Sequence, residues 1–161
     1  RLRELWWVYR DLDWTEIAFK YSNLDYFVRS KQSEKNAFVA TWVLEVEHLE
    51  FLIRELPDWH FHIAAPVYCA SLTNLSMYKN VTIYQNIIHK RIEWLLDDAT
   101  IYLDINHGAE VFDVLSKARE RGRKIFTFEN TRKSSDDSMY DGIFSIDRPE
   151  EMARILRKLE V

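Results

Sequence analysis

From residue 37 onward, short runs of β-branched and aromatic residues alternate with helix-length segments whose apolar residues recur every three or four positions. That alternation is the pattern of βαβ units on a parallel sheet. Ala37-Phe38-Val39-Ala40-Thr41-Trp42 reads as the first strand, and Val46, Leu49, Leu52, Ile53 and Leu56 predict a helix over 44–56 that Pro57-Asp58 ends. Trp59 to Ala65 is the next strand, stopped by Pro66, and a short segment over 69–78 leads to the strand Val81-Thr82-Ile83-Tyr84. His89 to Leu96 predicts a helix, Thr100 to Ile105 a strand, and Ala109 to Arg121 a helix closed by Gly122, the residue best suited to a left-handed C-terminal cap. Lys124 to Phe128 and Gly142 to Ile146 complete the strands. Between them Glu129 to Asp141 is a long polar connection, expected to be mobile. Asp147 as a cap, Pro149 just inside and Glu150-Glu151 in the first turn predict a final helix that runs to the end. The fold class is α/β: a Rossmann-like open, mostly parallel sheet with helices on both faces.

Residues 1–36 do not share this rhythm. Trp6, Trp7, Tyr9, Trp14, Phe19, Tyr21, Tyr26 and Phe27 are dense without a sustained period. They read as a lead-in that packs on the sheet or as the remnant of an adjoining lobe, leaving 37–161 as the folded lobe. The first residue is Arg1 rather than Met, which suggests a piece of a longer polypeptide.

At 161 residues the chain has the length of one domain. Hydrophobic residues at 47% and aromatics at 14% can bury enough surface to repay ordering it, which excludes wholesale disorder. A net charge of -4 provides no global basic field for nucleic acid. Cys69 is the single cysteine, so an intramolecular disulfide framework is impossible and a reducing, cytoplasmic compartment is expected. No apolar run approaches the roughly 18 residues of a spanning helix.

In an open parallel sheet, ligands bind beyond the carboxyl ends of the strands, so the useful residues are loop residues. Reading past each predicted strand gives Thr41-Trp42, Ala65-Pro66, Asn86, Asn106-His107-Gly108-Ala109-Glu110 and Glu129-Asn130-Thr131. The fourth set is the sharpest. Gly108 at a strand-to-helix turn would let the backbone approach an anion, with the N–H groups of Ala109 and Glu110 at the positive end of the helix dipole. A diphosphate suits that environment, and His107 could hydrogen-bond a phosphate or sugar or brace the loop. A glycine in such a turn is also common for steric reasons alone. No Gly-x-Gly-x-x-Gly, Gly-Lys-Ser/Thr or Gly-x-Ser-x-Gly motif is present. His60 and His62 share one strand face, yet no acidic or thiol residue nearby completes a metal site. Asp97-Asp98 and Asp136-Asp137 read as solvated pairs, and Cys69 as a small buried hydrophobe.

The segments FLIRELPDWHFHIAA (51–65), YKNVTIYQNI (78–87), TIYLDINHGAEV (100–111) and KIFTFENT (124–131), with the helix start Asp147-Arg148-Pro149-Glu150-Glu151-Met152, resemble a known family. They are similar to the C-terminal lobe of GT-B glycosyltransferase proteins of the bacterial accessory secretion locus, over about residues 36–159. The resemblance implies one lobe of a GT-B fold acting in cytosolic O-glycosylation of serine-rich adhesins. In that family a catalytic transferase moves N-acetylglucosamine from UDP to Ser or Thr, and a homologous partner stabilises it and helps to hold the unfolded acceptor. The segments look more like the partner. Many retaining GT-B enzymes carry two Glu residues, separated by seven others, ahead of an Ala-x-x-x-Gly turn. Anchored on Ala118 and Gly122, those roles fall at Ala109 and Lys117, neither of them acidic.

The expectation is therefore a chain without catalytic residues of its own and without a metal or resident cofactor. Its partners are a catalytic glycosyltransferase subunit and a serine-rich acceptor polypeptide, with peripheral membrane association as a further expectation and no nucleic acid. The alternatives are a UDP-sugar-binding lobe of an active transferase, holding UDP-N-acetylglucosamine through Asn106, His107, Gly108, Ala109, Glu110, Glu129, Asn130, Thr131 and Thr41, and a phosphate- or nucleotide-binding regulatory domain.

Overall fold

The computed structural model describes residues 35–43 and 45–161. The aromatic segment read over 1–36 lies outside the described residues except for Lys35 and Asn36. Six strands form one sheet: β1 Asn36–Ala40, β2 His60–Ala65, β3 Val81–Gln85, β4 Ile101–Asp104, β5 Lys124–Phe128 and β6 Gly142–Phe144. Their order is β3-β2-β1-β4-β5-β6 and every pairing is parallel. Among the described residues five helices connect or follow them: α1 Leu49–Glu55, α2 Ala70–Thr73, α3 His89–Asp98, α4 Val114–Glu120 and α5 Pro149–Lys158. Short 3-10 turns at Asn74–Met77 and Asp137–Met139 complete the element order.

The sheet is covered on both faces, as a parallel sheet requires. Alternation along each strand sorts the side chains. Ala37, Val39, Phe61, Ile63, Leu103, Phe126 and Phe128 join Leu52 and Ile53 of α1 and Met152 and Leu156 of α5 in one core. Phe38, Ala40, Ala64, Tyr102 and Ile125 pack with Trp94 and Leu95 of α3 and Leu115 and Ala118 of α4 in the other. Trp59, fully buried, ties the first core to α5 through its indole N–H, which donates to the Leu156 carbonyl at 3.2 Å.

His60 and His62 lie side by side on the sheet, their rings 4.6 Å apart. His62 Nε2 donates to Asn36 Oδ1 at 3.0 Å and Nδ1 accepts from the Tyr84 hydroxyl at 3.1 Å, while His60 Nε2 meets Thr82 Oγ1 at 2.7 Å. Burial, with the neighbouring His60, pushes the His62 pKa well down and keeps the ring neutral.

Three helix starts and one connection differ from the sequence reading, and the last strand and last helix stop short of it, at Phe144 and Lys158. The helix expected over 44–56 begins only at Leu49, because Val46 bridges Asn106 and the Glu47 N–H donates to the Ile105 carbonyl at 2.7 Å. The helix expected from Ala109 begins at Val114, since Phe112 and Asp113 adopt left-handed φ values of 48° and 54°. The final helix is entered through Arg148 with no side-chain cap, so Asp147 does not cap it, although Pro149 stands in its first turn.

The fourth difference is the connection 129–141, which is tied down rather than loose. The Tyr140 hydroxyl accepts from the N–H groups of Lys133 and Ser134 at 2.9 and 3.0 Å and donates to Asp104 Oδ2 at 2.9 Å. Gly122 does close α4 as expected, at φ 65°, with its N–H on Arg119 and the Arg123 N–H on Ala118.

Candidate functional site

The strand order reverses between β1 and β4, so the loops leaving those strands diverge and open a crevice at the carboxyl end of the sheet. A depression of about 380 Å³ lies there, lined by Val43 and Glu45 from the loop after β1 and by His107 and Gly108 from the loop after β4.

Behind the depression stands Glu47, a residue that sequence reasoning had placed inside a helix. Its Oε2 accepts from His107 Nε2 at 2.7 Å and from Asn130 Nδ2 at 2.8 Å, and its Oε1 is 3.4 Å from His48 Nε2. One carboxylate thus gathers the loops after β1, β4 and β5. Burial pushes the Glu47 pKa up, but the Asn130 and His107 hydrogen bonds and the charges of His48 and His107 outweigh it, so the net direction is down from 4.5. His48 in turn donates to the Ile146 carbonyl at 2.6 Å and meets Phe128 edge-on.

Gly108 is needed here for a different reason from the one expected. A Cβ at this position would come within 3.1 Å of both methyl groups of Val43. The glycine lets two loops approach each other, and it does not sit on a helix start. The anion-binding turn expected at Ala109 and Glu110 is likewise absent in that form. The first turn of α4 lies further along the chain, and Glu110 Oε1 accepts the Leu115 N–H there at 2.8 Å. Trp42 Nε1 holds the Glu110 carbonyl at 3.3 Å and packs edge-on against Phe112, which also contacts His89.

The remaining expected residues divide clearly. Asn106 is buried beneath the depression, and its carbonyl accepts from Lys133 Nζ. Thr41 is buried, with Oγ1 donating to the Val43 carbonyl at 2.7 Å and shaping the loop after β1. Thr131 is buried too, and Oγ1 donates to the Asp104 carbonyl at 3.0 Å. Ala109, Glu129 and Asn130 are exposed. His107, Gly108, Asn130 and Asn106 therefore come together, whereas Thr41 and Thr131 are internal braces.

The cations at this end are engaged within the chain. Lys133 Nζ donates to the Thr131 carbonyl at 2.6 Å and stands 3.5 Å from Asp104 Oδ1. Arg132 pairs with Asp137 and with the carbonyls of Ser134 and Ser135. Lys117 donates to the Phe112 carbonyl, contacts His89 and pairs with Glu93 at 3.5 Å.

A six-stranded parallel sheet in this order, with a ligand crevice at its reversal point, defines a Rossmann-like lobe of the kind from which GT-B glycosyltransferases are built. The sequence places it more narrowly. Residues 37–160 match the family described as the GftB/GlyA-F C-terminal domain, and the chain belongs to that family. Glycosyltransferase GlyF of Streptococcus pneumoniae serotype 4 is 59% identical over 162 residues, covering 100% of this chain and 41% of GlyF. The stabilizing protein GtfB of the UDP-N-acetylglucosamine–peptide N-acetylglucosaminyltransferase of Streptococcus agalactiae is 36% identical, over 89% of this chain and 32% of GtfB.

Among solved structures, glycosyltransferase GlyE of S. pneumoniae TIGR4 superposes with a TM-score of 0.74 at 28% identity, over 98% of this chain and 41% of GlyE. The GtfA/B complex bound to UDP and GlcNAc gives 0.68 at 36% identity, over 77% of this chain and 28% of the matched chain. The chain thus spans less than half of each of these relatives.

Proposed function

We propose that this chain is a non-catalytic lobe of a glycosyltransferase system. Its role is to engage the Ser/Thr-rich acceptor polypeptide and to support the catalytic subunit or catalytic part with which it works. The observation that carries the reading is the contact between Glu110 Oε1 and the Leu115 N–H. It puts the chain's own carboxylate on the first turn of α4, and a fixed negative charge there opposes a diphosphate at that turn.

Two further facts support it. When the family resemblance is anchored on Ala118 and Gly122, the roles of the paired acids fall at Ala109 and at Lys117, which is paired with Glu93. The chain also matches 41% of the length of a protein named a glycosyltransferase and 32% of one named a stabilizing protein. A module shared between those two roles fits acceptor handling better than the transfer step itself.

A second reading, a donor-binding lobe, is favoured by the 59% identity to GlyF and the likeness to a complex holding UDP and GlcNAc. Calorimetric titration of the full-length polypeptide with an unfolded Ser/Thr-rich peptide and with UDP separates the two. The proposed function expects saturable peptide binding that Asn130→Ala or Glu45→Gln weakens. Peptide binding untouched by either substitution, together with saturable UDP binding while Glu110 is in place, would favour the donor-binding lobe.

A further inference from the structure

We propose that the outer edge of β3 binds an extended, uncharged Ser/Thr-rich segment by strand addition, main chain to main chain. The proposal rests on the acceptor-engaging reading and gives it a mode of binding.

The sequence sets this side of the molecule apart. From Trp59 to His89 the only Asp, Glu, Lys or Arg is Lys79, in a chain that is 30% charged. Burial does not account for it, since Val67, Tyr68, Ser71, Thr73, Ser76 and Met77 are exposed. An exposed surface depleted of charge has the composition of an interface centre.

β3 is the outermost strand on that side. The Phe61 N–H donates to the Asn80 carbonyl at 2.8 Å and Phe61 stands opposite Val81, so in a parallel ladder Thr82 and Tyr84 turn their main-chain groups toward β2. Ile83 and Gln85 turn theirs away from the sheet, and among the described residues nothing pairs with them there. Native sheets ordinarily blunt a free edge with a charge, a proline or a very short strand. Val81-Thr82-Ile83-Tyr84-Gln85 has none of these over five residues, whereas β6, at the opposite edge, has only three. The edge is also held in place. Gln85 Oε1 accepts the Cys69 N–H at 2.6 Å and Nε2 donates to Thr73 Oγ1 at 3.0 Å, fixing α2 alongside it.

A Ser/Thr-rich chain offers neither charges nor large apolar anchors, so its regular main-chain donors and acceptors are what a surface can hold. Strand addition uses those groups, and a neutral edge suits a neutral chain. A second copy of this chain suits it less. An edge of five residues is about 17 Å long, and pairing two of them buries far less than the roughly 800 Å² per partner of a stable interface.

The test uses the full-length polypeptide and an unfolded Ser/Thr-rich peptide. Hydrogen–deuterium exchange is expected to slow about tenfold in fragments spanning 81–85 when the peptide saturates. By calorimetry, a copy of the peptide N-methylated at alternate residues keeps one intact edge and binds like the parent. A copy N-methylated throughout has neither edge and binds at least about tenfold more weakly. Ile83→Pro removes an outward N–H without touching the ladder to β2 and should weaken the parent peptide about fivefold. Should that variant fail to fold, the two N-methylated copies carry the comparison.

A peptide that binds while exchange over 81–85 stays unchanged, or that binds equally well when N-methylated throughout, overturns the inference and leaves the acceptor reading standing. Protection of 81–85 that needs no peptide and rises with protein concentration, with a dimer in sedimentation, assigns the edge to a second copy and also overturns it. Failure to bind the peptide at all removes the acceptor reading as well.

Discussion

The Glu110 carboxylate accepts the backbone N–H of Leu115 at 2.8 Å, so the first turn of α4 is capped from four residues outside the helix. Asp113, the residue at the usual capping position, makes no side-chain cap because its backbone is left-handed. Glu110 therefore does the work normally done by a local Ser or Asp. Glu110→Ala is expected to lower stability by about 1 kcal/mol, the usual cost of a lost N-terminal cap. Urea unfolding of the variant against wild type checks it, and an unchanged midpoint would mean that the contact does not persist in solution.

Glu47 makes the stability of the domain depend on pH in a defined direction. Its folded pKa lies below 4.5, so its contribution is fully present above that value and is lost as the pH falls through the folded pKa. Glu47→Gln is expected to flatten the part of the stability curve that falls as the pH drops below 4.5. At neutral pH the loss should be about 1 kcal/mol, since the carboxylate is partly exposed and its pairs are screened. Denaturant midpoints measured along that range in both proteins give the comparison. Parallel curves would remove Glu47 from the account.

Gly108 and Val43 form a steric pair. Gly108→Ala places a methyl group 3.1 Å from both Val43 branches and should cost about 1 kcal/mol, the low end for overpacking. Val43→Ala in the same chain should recover part of that loss, a coupling that a double-mutant cycle reads directly. Strictly additive effects would show that the two loops do not rest on each other.

Asp104 anchors the 129–141 connection from beneath. Burial pushes its pKa up, and the Lys133 ammonium, the Tyr140 hydroxyl and the Lys133 amide pull it back without cancelling the rise. Asp104→Ala would leave the largely buried Lys133 ammonium with only the Thr131 and Asn106 carbonyls and no counter-charge, beside a Tyr140 hydroxyl with no acceptor. The expected loss is about 3 kcal/mol, with limited proteolysis cutting first between 129 and 141. Asp104→Asn, which keeps an acceptor for Tyr140, should lose less and resist the protease longer.

The strands were legible because each is a compact apolar run that alternates between two buried faces. Phe61 and Ile63 on one side and His62 and Ala64 on the other illustrate it. Gly122 was legible because a left-handed cap after a helical pattern has few alternatives. The two helix starts were not, because His48, Phe112 and Asp113 take positive φ without being glycine, and the Val46–Asn106 bridge joins loops 60 residues apart.

Glu47 escaped notice for the same reason. The helix expected over 44–56 encloses it and gives it no signal of its own, whereas the observed helix start at Leu49 leaves it in a strand-end loop beside His107. The polar composition of 129–141 suggested motion, and the hub that holds it, the Tyr140 hydroxyl, acts across 36 residues on Asp104.

The central claim is that this lobe engages acceptor and not nucleotide. Calorimetric titration of the full-length polypeptide and its Glu110→Ala variant with UDP and UDP-N-acetylglucosamine tests it most directly, provided that any catalytic domain in the same chain carries a substitution abolishing its own donor binding. The account predicts no saturable nucleotide heat from this lobe while Glu110 is in place, with the unfolded Ser/Thr-rich peptide still binding. Saturable nucleotide binding by the lobe that still carries Glu110, persisting in that background, would contradict it and restore the donor site to the turn before α4.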